Sequence, residues 1–340
     1  MYRVSRQDVQ TLDTLYQALH HLGYRSIALS ESDDGWIRME TTVGTFALWK
    51  IEDTTHFLKT YQLLQRFSGP SRHLMPYVPF ANGQLILKVH GNMYVLSPYP
   101  QGENASSLLM RGDMHWLRSL LRVLAMVHRE RAFTLPAPEL KESLRHLSKR
   151  WKEDEQTLKE WIKSAQNALY PSPLEAILVA NADDLLQGMA TARAAIELYL
   201  QEDALPVSYE IVFAHGALSL KNIYLARQGI VLVDWRKATM DAPARDLSRI
   251  LREVIQSAVP LGITVEIEGW LKTYELVRPL SVLDRQLLYV ALHYPHEPLA
   301  FLKRWKLQAN AGDMLEATHA FEAALDQYVL VHKMLLNDAS

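Results

Sequence analysis

Hydrophobic residues follow a helical rhythm at the start of the chain, a strand rhythm next, and a helical one for most of the remainder. Leu12, Leu15, Leu19 and Leu22 lie on one stripe, which predicts a helix over 8–23 stopped by Gly23. The runs Ile27–Ser30, Trp36–Glu40 and Thr45–Ile51 follow, separated by Ser32-Asp33-Asp34-Gly35 and Thr42-Val43-Gly44, and they predict an antiparallel meander. Phe57, Leu58, Tyr61, Leu64 and Phe67 predict a helix over 55–67, and Gln84–Val89 and Met93–Ser97 predict two further strands around His90-Gly91-Asn92. Pro98 and Pro100 then forbid both helix and central strand. The boundary predicted there divides a sheet-bearing lobe, 1–97, from a mainly helical one, 98–340.

Beyond it, Asp113 is the expected N-cap of a helix that buries Leu117, Leu120, Leu121, Leu124 and His128. A charged helix over 139–169 turns Leu140, Leu144, Leu147, Trp151, Leu158 and Ile162 inward and ends at Pro171-Ser172-Pro173. Helices are further predicted over 174–200, 244–258, 266–277, 282–292, 297–306 and 313–336. A strand, Tyr209–Ala214, and a hairpin over 222–233 interrupt the helical part. Sheet first and helices second predicts an α+β fold of two lobes rather than alternating βαβ units.

Composition narrows the function classes. A formal charge of −2 over 340 residues offers no electrostatic case for nucleic acid or membrane binding. The absence of cysteine excludes disulfides and thiolate metal sites. The N-terminus lacks the apolar core of a signal peptide, and no run approaches a membrane span, so a cytoplasmic protein is expected. The aromatic residues are expected mostly in the core, with exposed Trp and Tyr on the 139–169 helix as a candidate docking face.

The chemistry concentrates in one segment. The strand at 209–214 delivers His215-Gly216-Ala217-Leu218-Ser219-Leu220-Lys221-Asn222 into a loop, and a hairpin turning at Arg227-Gln228-Gly229 leads to Val233-Asp234-Trp235. A hairpin of this length brings Asn222 and Asp234 side by side. An amide oxygen and a carboxylate together suit Mg²⁺, with nucleotide phosphates completing its coordination. Upstream, Lys50 ends a strand from which an ammonium reaches phosphates.

These residues, with Gly44–Lys50, Tyr94–Gly102, Leu124–His128 and Asp241–Leu247, resemble the aminoglycoside-phosphotransferase-type, kinase-like superfamily over nearly the whole chain. With Tyr294-Pro295-His296-Glu297-Pro298, the chain is similar within it to the spore coat-associated kinase-like proteins of endospore-forming bacteria. The resemblance implies a two-lobed protein-kinase-like fold, Lys50 as phosphate-binding lysine, and a hinge including Leu96, Ser97, Tyr99 and Gly102 that holds adenine through its backbone. It further implies ATP and Mg²⁺, with Asn222 and Asp234 as metal ligands, His215 as the loop histidine, and Asp246 bracing the loop. From the residues alone, Asn222 also reads as a loop cap, Asp246 also as a helix N-cap, and His215 reads as a structural histidine rather than an acid or base.

Three departures change the expected activity. Ala217 stands where the family's catalytic aspartate would be. The 55–67 helix has no acidic residue to pair with Lys50, which leaves only Glu52 and Asp53 before it. The first strand-to-strand loop offers Gly35 alone beside two carboxylates, Asp33 and Asp34. The expectation is a catalytically impaired or inactive kinase-like protein that serves as a binding and assembly component with spore coat proteins, in the mother-cell cytoplasm and the coat. An active ATP-dependent small-molecule or sugar phosphotransferase is one alternative, and a non-catalytic nucleotide sensor is another.

Overall fold

The computed structural model describes residues 6–25, 28–31, 36–69, 71–201, 205–307 and 313–338. Ile27 and the predicted loop residues Asp33, Asp34 and Gly35 lie outside that set. In chain order the elements begin with α1 (Arg6–His21), β1 (Ala28–Glu31), β2 (Ile37–Thr41), β3 (Gly44–Ile51), α2 (Thr54–Leu64), β4 (Leu87–Val89), β5 (Asn92–Pro98), β6 (Glu103–Asn104), α3 (Ala105–Met110) and α4 (His115–Glu130). They continue with β7 (Ala132–Pro136), α5 (Ala137–Gln166), α6 (Pro173–Ala180), α7 (Ala182–Leu200), β8 (Ser208–Ala214), β9 (Ile223–Ala226), β10 (Gly229–Leu232) and β11 (Thr239–Asp241). The last five are α8 (Ala244–Ala258), α9 (Ile267–Glu275), α10 (Val282–His293), α11 (His296–Leu307) and α12 (Met314–Asp338).

Contacts divide the chain into two units. One comprises Met1–Arg131, His215–Thr239 and Glu268–Arg278; the other comprises Ala132–Ala214, Met240–Ile267 and Pro279–Ser340. The 215–235 loop and hairpin therefore group with the sheet, not with the helices that flank them in sequence.

In the first unit the strands form one antiparallel sheet in the order β1-β2-β3-β5-β4. Its register pairs Lys50 with Tyr94, Leu48 with Leu96 and Ala47 with Ser97. Alternation puts Met39, Leu48, Tyr94 and Leu96 on one face, where they pack with Leu15 and Leu19 of α1. β4 and β5 are joined by His90 and Gly91 at φ 46° and 81°, and Val89 pairs with Asn92. Two positive φ angles in a two-residue loop match the right-handed twist of the flanking strands. A second sheet, β10-β9-β6, contains the hairpin. It needs Gly102, since a Cβ there would stand 2.3 Å from the Leu225 carbonyl oxygen.

α4 buries Leu117, Leu120, Leu121 and Leu124 as its pattern predicts. Its cap position is Met114 rather than Asp113, whose Oδ1 accepts from the His115 amide at 3.0 Å. His128, fully buried, meets the Tyr274 hydroxyl through Nδ1 at 2.8 Å.

In the second unit, α5 turns Leu140, Leu144, Leu158 and Ile162 inward and leaves Leu147 half-buried. The docking face expected on this helix does not form: Trp151 is buried and stacks on Tyr294 with centroids 4.4 Å apart, and Trp161 is half-buried. The single helix expected over 174–200 is two. Asn181 leaves helical geometry at φ −108°, ψ 11° and donates Nδ2 to the Ile177 carbonyl at 2.8 Å, which satisfies an orphan group at the end of α6. α8 buries Leu247, Ile250, Leu251, Val254 and Ile255 completely. Each such side chain contributes about 1.5 to 3 kcal/mol relative to exposure.

Candidate functional site

The loop after β8 is held from both ends. His215 is fully buried, and its Nε2 donates to the Val233 carbonyl at 2.8 Å while the ring lies against Trp235 at 4.6 Å. That bond ties the loop to the far end of the hairpin and gives His215 a structural task. Gly216 follows at φ 78°, pressed against the Lys237 carbonyl. Ala217 is half-buried, and its carbonyl accepts from Asn222 Nδ2 at 3.0 Å. The Asn222 amide closes the turn onto Ser219 O, and its own carbonyl accepts from the Val233 amide, both at 3.0 Å. The backbones at 222 and 233 are thus adjacent, as the hairpin length predicts. The Asn222 amide group also caps the loop.

Asp234 has a left-handed backbone, φ 63° and ψ 60°, a region open to aspartate but costly to most residues. This turn, and the short helical turn Trp235–Lys237 behind it, fold Arg236 back onto the carboxylate. Arg236 Nε donates to Asp234 Oδ1 and Nη2 donates to Oδ2 at 2.9 Å, a two-pronged ion pair. Nη1 donates to the Lys50 backbone carbonyl, and the guanidinium lies 5.0 Å from the centre of the Trp49 ring. Burial works against the Arg236 charge, but the Asp234 hydrogen bonds and charge more than offset it, so its pKa is raised. Tyr77 is buried nearby, and burial followed by the charge of Asp234 pushes its hydroxyl well above the usual range.

Magnesium was expected on Asn222 and Asp234, and the residues as arranged do not fit it. Both Asp234 oxygens accept from Arg236, whose positive charge opposes a divalent ion there; the Asn222 bond to Ala217 uses only Nδ2 and leaves its Oδ1 available. Among the described residues no cluster of three or more His, Cys, Asp or Glu side chains is assembled for a metal ion.

Lys50 is exposed at the end of β3, and among the described residues no carboxylate pairs with its ammonium. Neither candidate substitute reaches it. Asp53 is the N-cap of α2 and accepts from the His56 amide at 3.0 Å, a bond that holds its carboxyl below the usual range. Glu52 takes Lys237 instead, at 3.4 Å.

At the hinge several polar groups are already committed. The Leu96 carbonyl accepts from the Val78 amide at 2.8 Å, and the Tyr99 amide donates to Thr45 O at 3.0 Å. Ser97 Oγ accepts from Trp49 Nε1 at 2.9 Å, and the Tyr99 ring lies under Arg38 and beside Trp36. Gly102 serves the approach of β9. Asp246 belongs to the other unit, where it is fully buried in the first turn of α8. That helix starts behind Pro243, so Asp246 is not its N-cap; a carboxylate in this turn complements the positive end of the helix.

The residue that sequence reasoning missed is Arg236. Its one signal is a cation two places after the key aspartate, which becomes meaningful only with the left-handed turn at Asp234. The site so built offers the guanidinium of Arg236 and no carboxylate at Ala217, while Lys50 shares the sheet face of its pair partner Tyr94, opposite to Trp49.

Solved structures of the same fold were found at low identity. An aminoglycoside phosphotransferase from Alicyclobacillus acidocaldarius is 15% identical, with a TM-score of 0.67 over 99% of this chain and 97% of that one. An AMP-bound spectinomycin phosphotransferase is 12% identical, with a TM-score of 0.64 over 93% and 98%. A glucosamine kinase in complex with glucosamine, ADP and inorganic phosphate is 12% identical, with a TM-score of 0.52 over 97% and 88%. No curated protein matches the sequence significantly. The profile of the Phosphotransferase enzyme family matches residues 42–280, most of the chain. With the kinase-like fold and the loop-and-hairpin segment inside that span, the chain belongs to the Phosphotransferase enzyme family.

Proposed function

We propose that this family member is catalytically impaired and works as a binding and assembly component, within the spore coat of an endospore-forming host. The observation that carries the impaired reading is Ala217, a methyl group where the acceptor-orienting carboxylate would stand. General-base catalysis contributes roughly 10² to 10⁴-fold, and Lys50 without a carboxylate partner loses further geometry. In this reading the 97–102 segment joins two functional lobes, Lys50 meets nucleotide phosphates, and adenine uses the hinge backbone groups that the sheet has not already taken. The coat assignment rests on the sequence resemblance. Its signature stretch, Tyr294–Pro298, is used in internal packing: Tyr294 donates to Asp154 at 2.8 Å and Glu297 pairs with Arg252 at 2.8 Å. The assembly role draws on Tyr170, which stands 89% exposed after α5 beside the 84% exposed Leu169 and is of the kind that anchors interfaces.

The retention of Lys50, Asn222 and Asp234 favours a second reading, a protein that binds nucleotide without turning it over. Two measurements test the proposal. The purified protein is expected to transfer no phosphate from ATP to sugars, aminoglycosides or itself, and Ala217→Asp alone is expected to leave it inactive, because Asp234 stays tied to Arg236. Robust transfer by the unmodified chain would end the impaired reading. A tagged copy followed through sporulation is expected in the coat fraction, and confinement to vegetative cells would end the coat assignment.

A further inference from the structure

The mismatch between Asp234 and a divalent ion has a constructive side. We propose that Arg236 is the resident cation of this site, standing on Asp234 in the place of the metal, so that a nucleoside di- or triphosphate binds here without Mg²⁺. The inference rests on the nucleotide-binding reading of the site and gives it a specific ionic requirement.

The geometry supports it at each contact. Arg236 engages both Asp234 oxygens and neutralises the charge that would otherwise draw an ion there. Its third bond, to the Lys50 backbone carbonyl, fixes the guanidinium against the end of β3. Trp49 lies against it, and the side chain of Arg236 is only 21% exposed. A guanidinium carries five N–H donors. Three are spent on Asp234 Oδ1, Asp234 Oδ2 and Lys50 O, and among the described residues the other two have no protein acceptor. Phosphate oxygens are the acceptors such a planar donor recognises. Asp234 then orients the arginine and does not hold an ion.

This arrangement also bears on turnover. A metal shared by two phosphate groups pulls charge from the bond that breaks, whereas Arg236 has two of its five donors on a carboxylate and its charge partly neutralised. Binding and transfer are separated by one side chain.

The test uses the full-length protein stripped of divalent ions and titrated with ADP by calorimetry, first in EDTA and then in excess Mg²⁺. Equal affinity in the two, within about threefold, is expected. Arg236→Gln is expected to weaken the EDTA titration by about tenfold or more and to make binding respond to Mg²⁺; Arg236→Lys, which keeps the charge but not the fork, should fall between. A second readout needs no nucleotide. In a Mn²⁺ resonance titration the wild type should leave the ion free, Arg236→Gln should capture it, and the double variant Arg236→Gln/Asp234→Asn should release it. Wild-type ADP binding that requires Mg²⁺, Mn²⁺ captured by the wild type, or no ADP binding under either condition would each overturn the assignment. The wild-type arms need no variant to fold. Failure of the impaired-enzyme reading would appear separately, as phosphate transfer.

Discussion

Gly216 shows how little freedom the loop before Asn222 has. Its φ of 78° lies in the left-handed region, and a Cβ built there would stand 2.1 Å from the Lys237 carbonyl oxygen. Gly91 has nearly the same φ, 81°, but opens onto space with nothing within 4 Å. The two glycines separate backbone strain from collision. Gly91→Ala is expected to cost about 1 to 2 kcal/mol, the left-handed penalty alone. Gly216→Ala should cost clearly more, beyond about 3 kcal/mol, because backbone must move as well. Urea midpoints of the two variants check the ordering, and equal losses would mean that the 237 segment yields freely. The site residues divide along the same line. The closeness of the 222 and 233 backbones is readable in the sequence because the hairpin length sets it, whereas Lys50 and Ala217 are singled out by the family resemblance. Arg236 is found by neither, since its role depends on a single dihedral at Asp234. The hinge amide of Tyr99 was equally hidden, because only the pairing with Thr45 shows it to be taken.

Elements with long amphipathic repeats are legible to within about three residues at their ends, as α1, α5 and α8 show; elements created by another element are not. β6 is two residues long and exists because Glu103 and Asn104 pair with Leu225 and Tyr224 of β9. β7 likewise exists by pairing with β8. Neither carries a periodic signal of its own. The break at Asn181 was hidden inside an apolar pattern that continues across it. Joints between elements follow the same rule. Glu130, the last residue of α4, accepts from Ser68 N at 2.6 Å, Ser68 Oγ at 3.1 Å and Gly69 N at 3.0 Å. Arg131 beside it donates to the Arg66 carbonyl. One carboxylate thus fastens the exit of α2 to the end of α4. Because the joint faces solvent, Glu130→Ala is expected to cost about 1 to 2 kcal/mol rather than the sum of three charged hydrogen bonds. Hydrogen exchange should rise at the amides of Ser68 and Gly69 specifically. Protection unchanged at those two amides would show that the joint is held elsewhere.

Across the whole chain, stability against acid should be set first by histidines and only later by carboxylates. In the second unit, α7, α10 and α12 converge on His293 and His332, whose rings lie 5.1 Å apart. Gly188 of α7 permits this approach, since a Cβ there would fall 1.9 Å from the Tyr328 hydroxyl and 2.9 Å from the His293 carbonyl. His293 is 1% exposed and donates Nδ1–H to the Tyr289 carbonyl at 2.9 Å. Burial lowers its pKa below the usual 6.5, the Tyr289 bond opposes this, and His332 adds to the lowering. Burial lowers His332 as well, against an upward pull from Asp184. Both rings are therefore neutral in the fold under conditions where the unfolded chain has taken up protons. The stabilisation is complete above 6.5 and declines as pH falls from there toward the folded values, by up to about 1.4 kcal/mol per pH unit for each ring. Glu155 and Glu175, whose pKa values lie below the usual 4.5, add their own losses only lower down. Between pH 6.5 and 4.5 the slope of unfolding free energy should therefore be shared by His293, His332 and His296, the last lowered to about 3. His293→Gln, measured by urea titration across that range, should flatten the slope even though it lowers stability at pH 7. A slope unchanged by the substitution would mean that His293 is already protonated within its three-helix setting, and that the acid sensitivity of the molecule arises elsewhere.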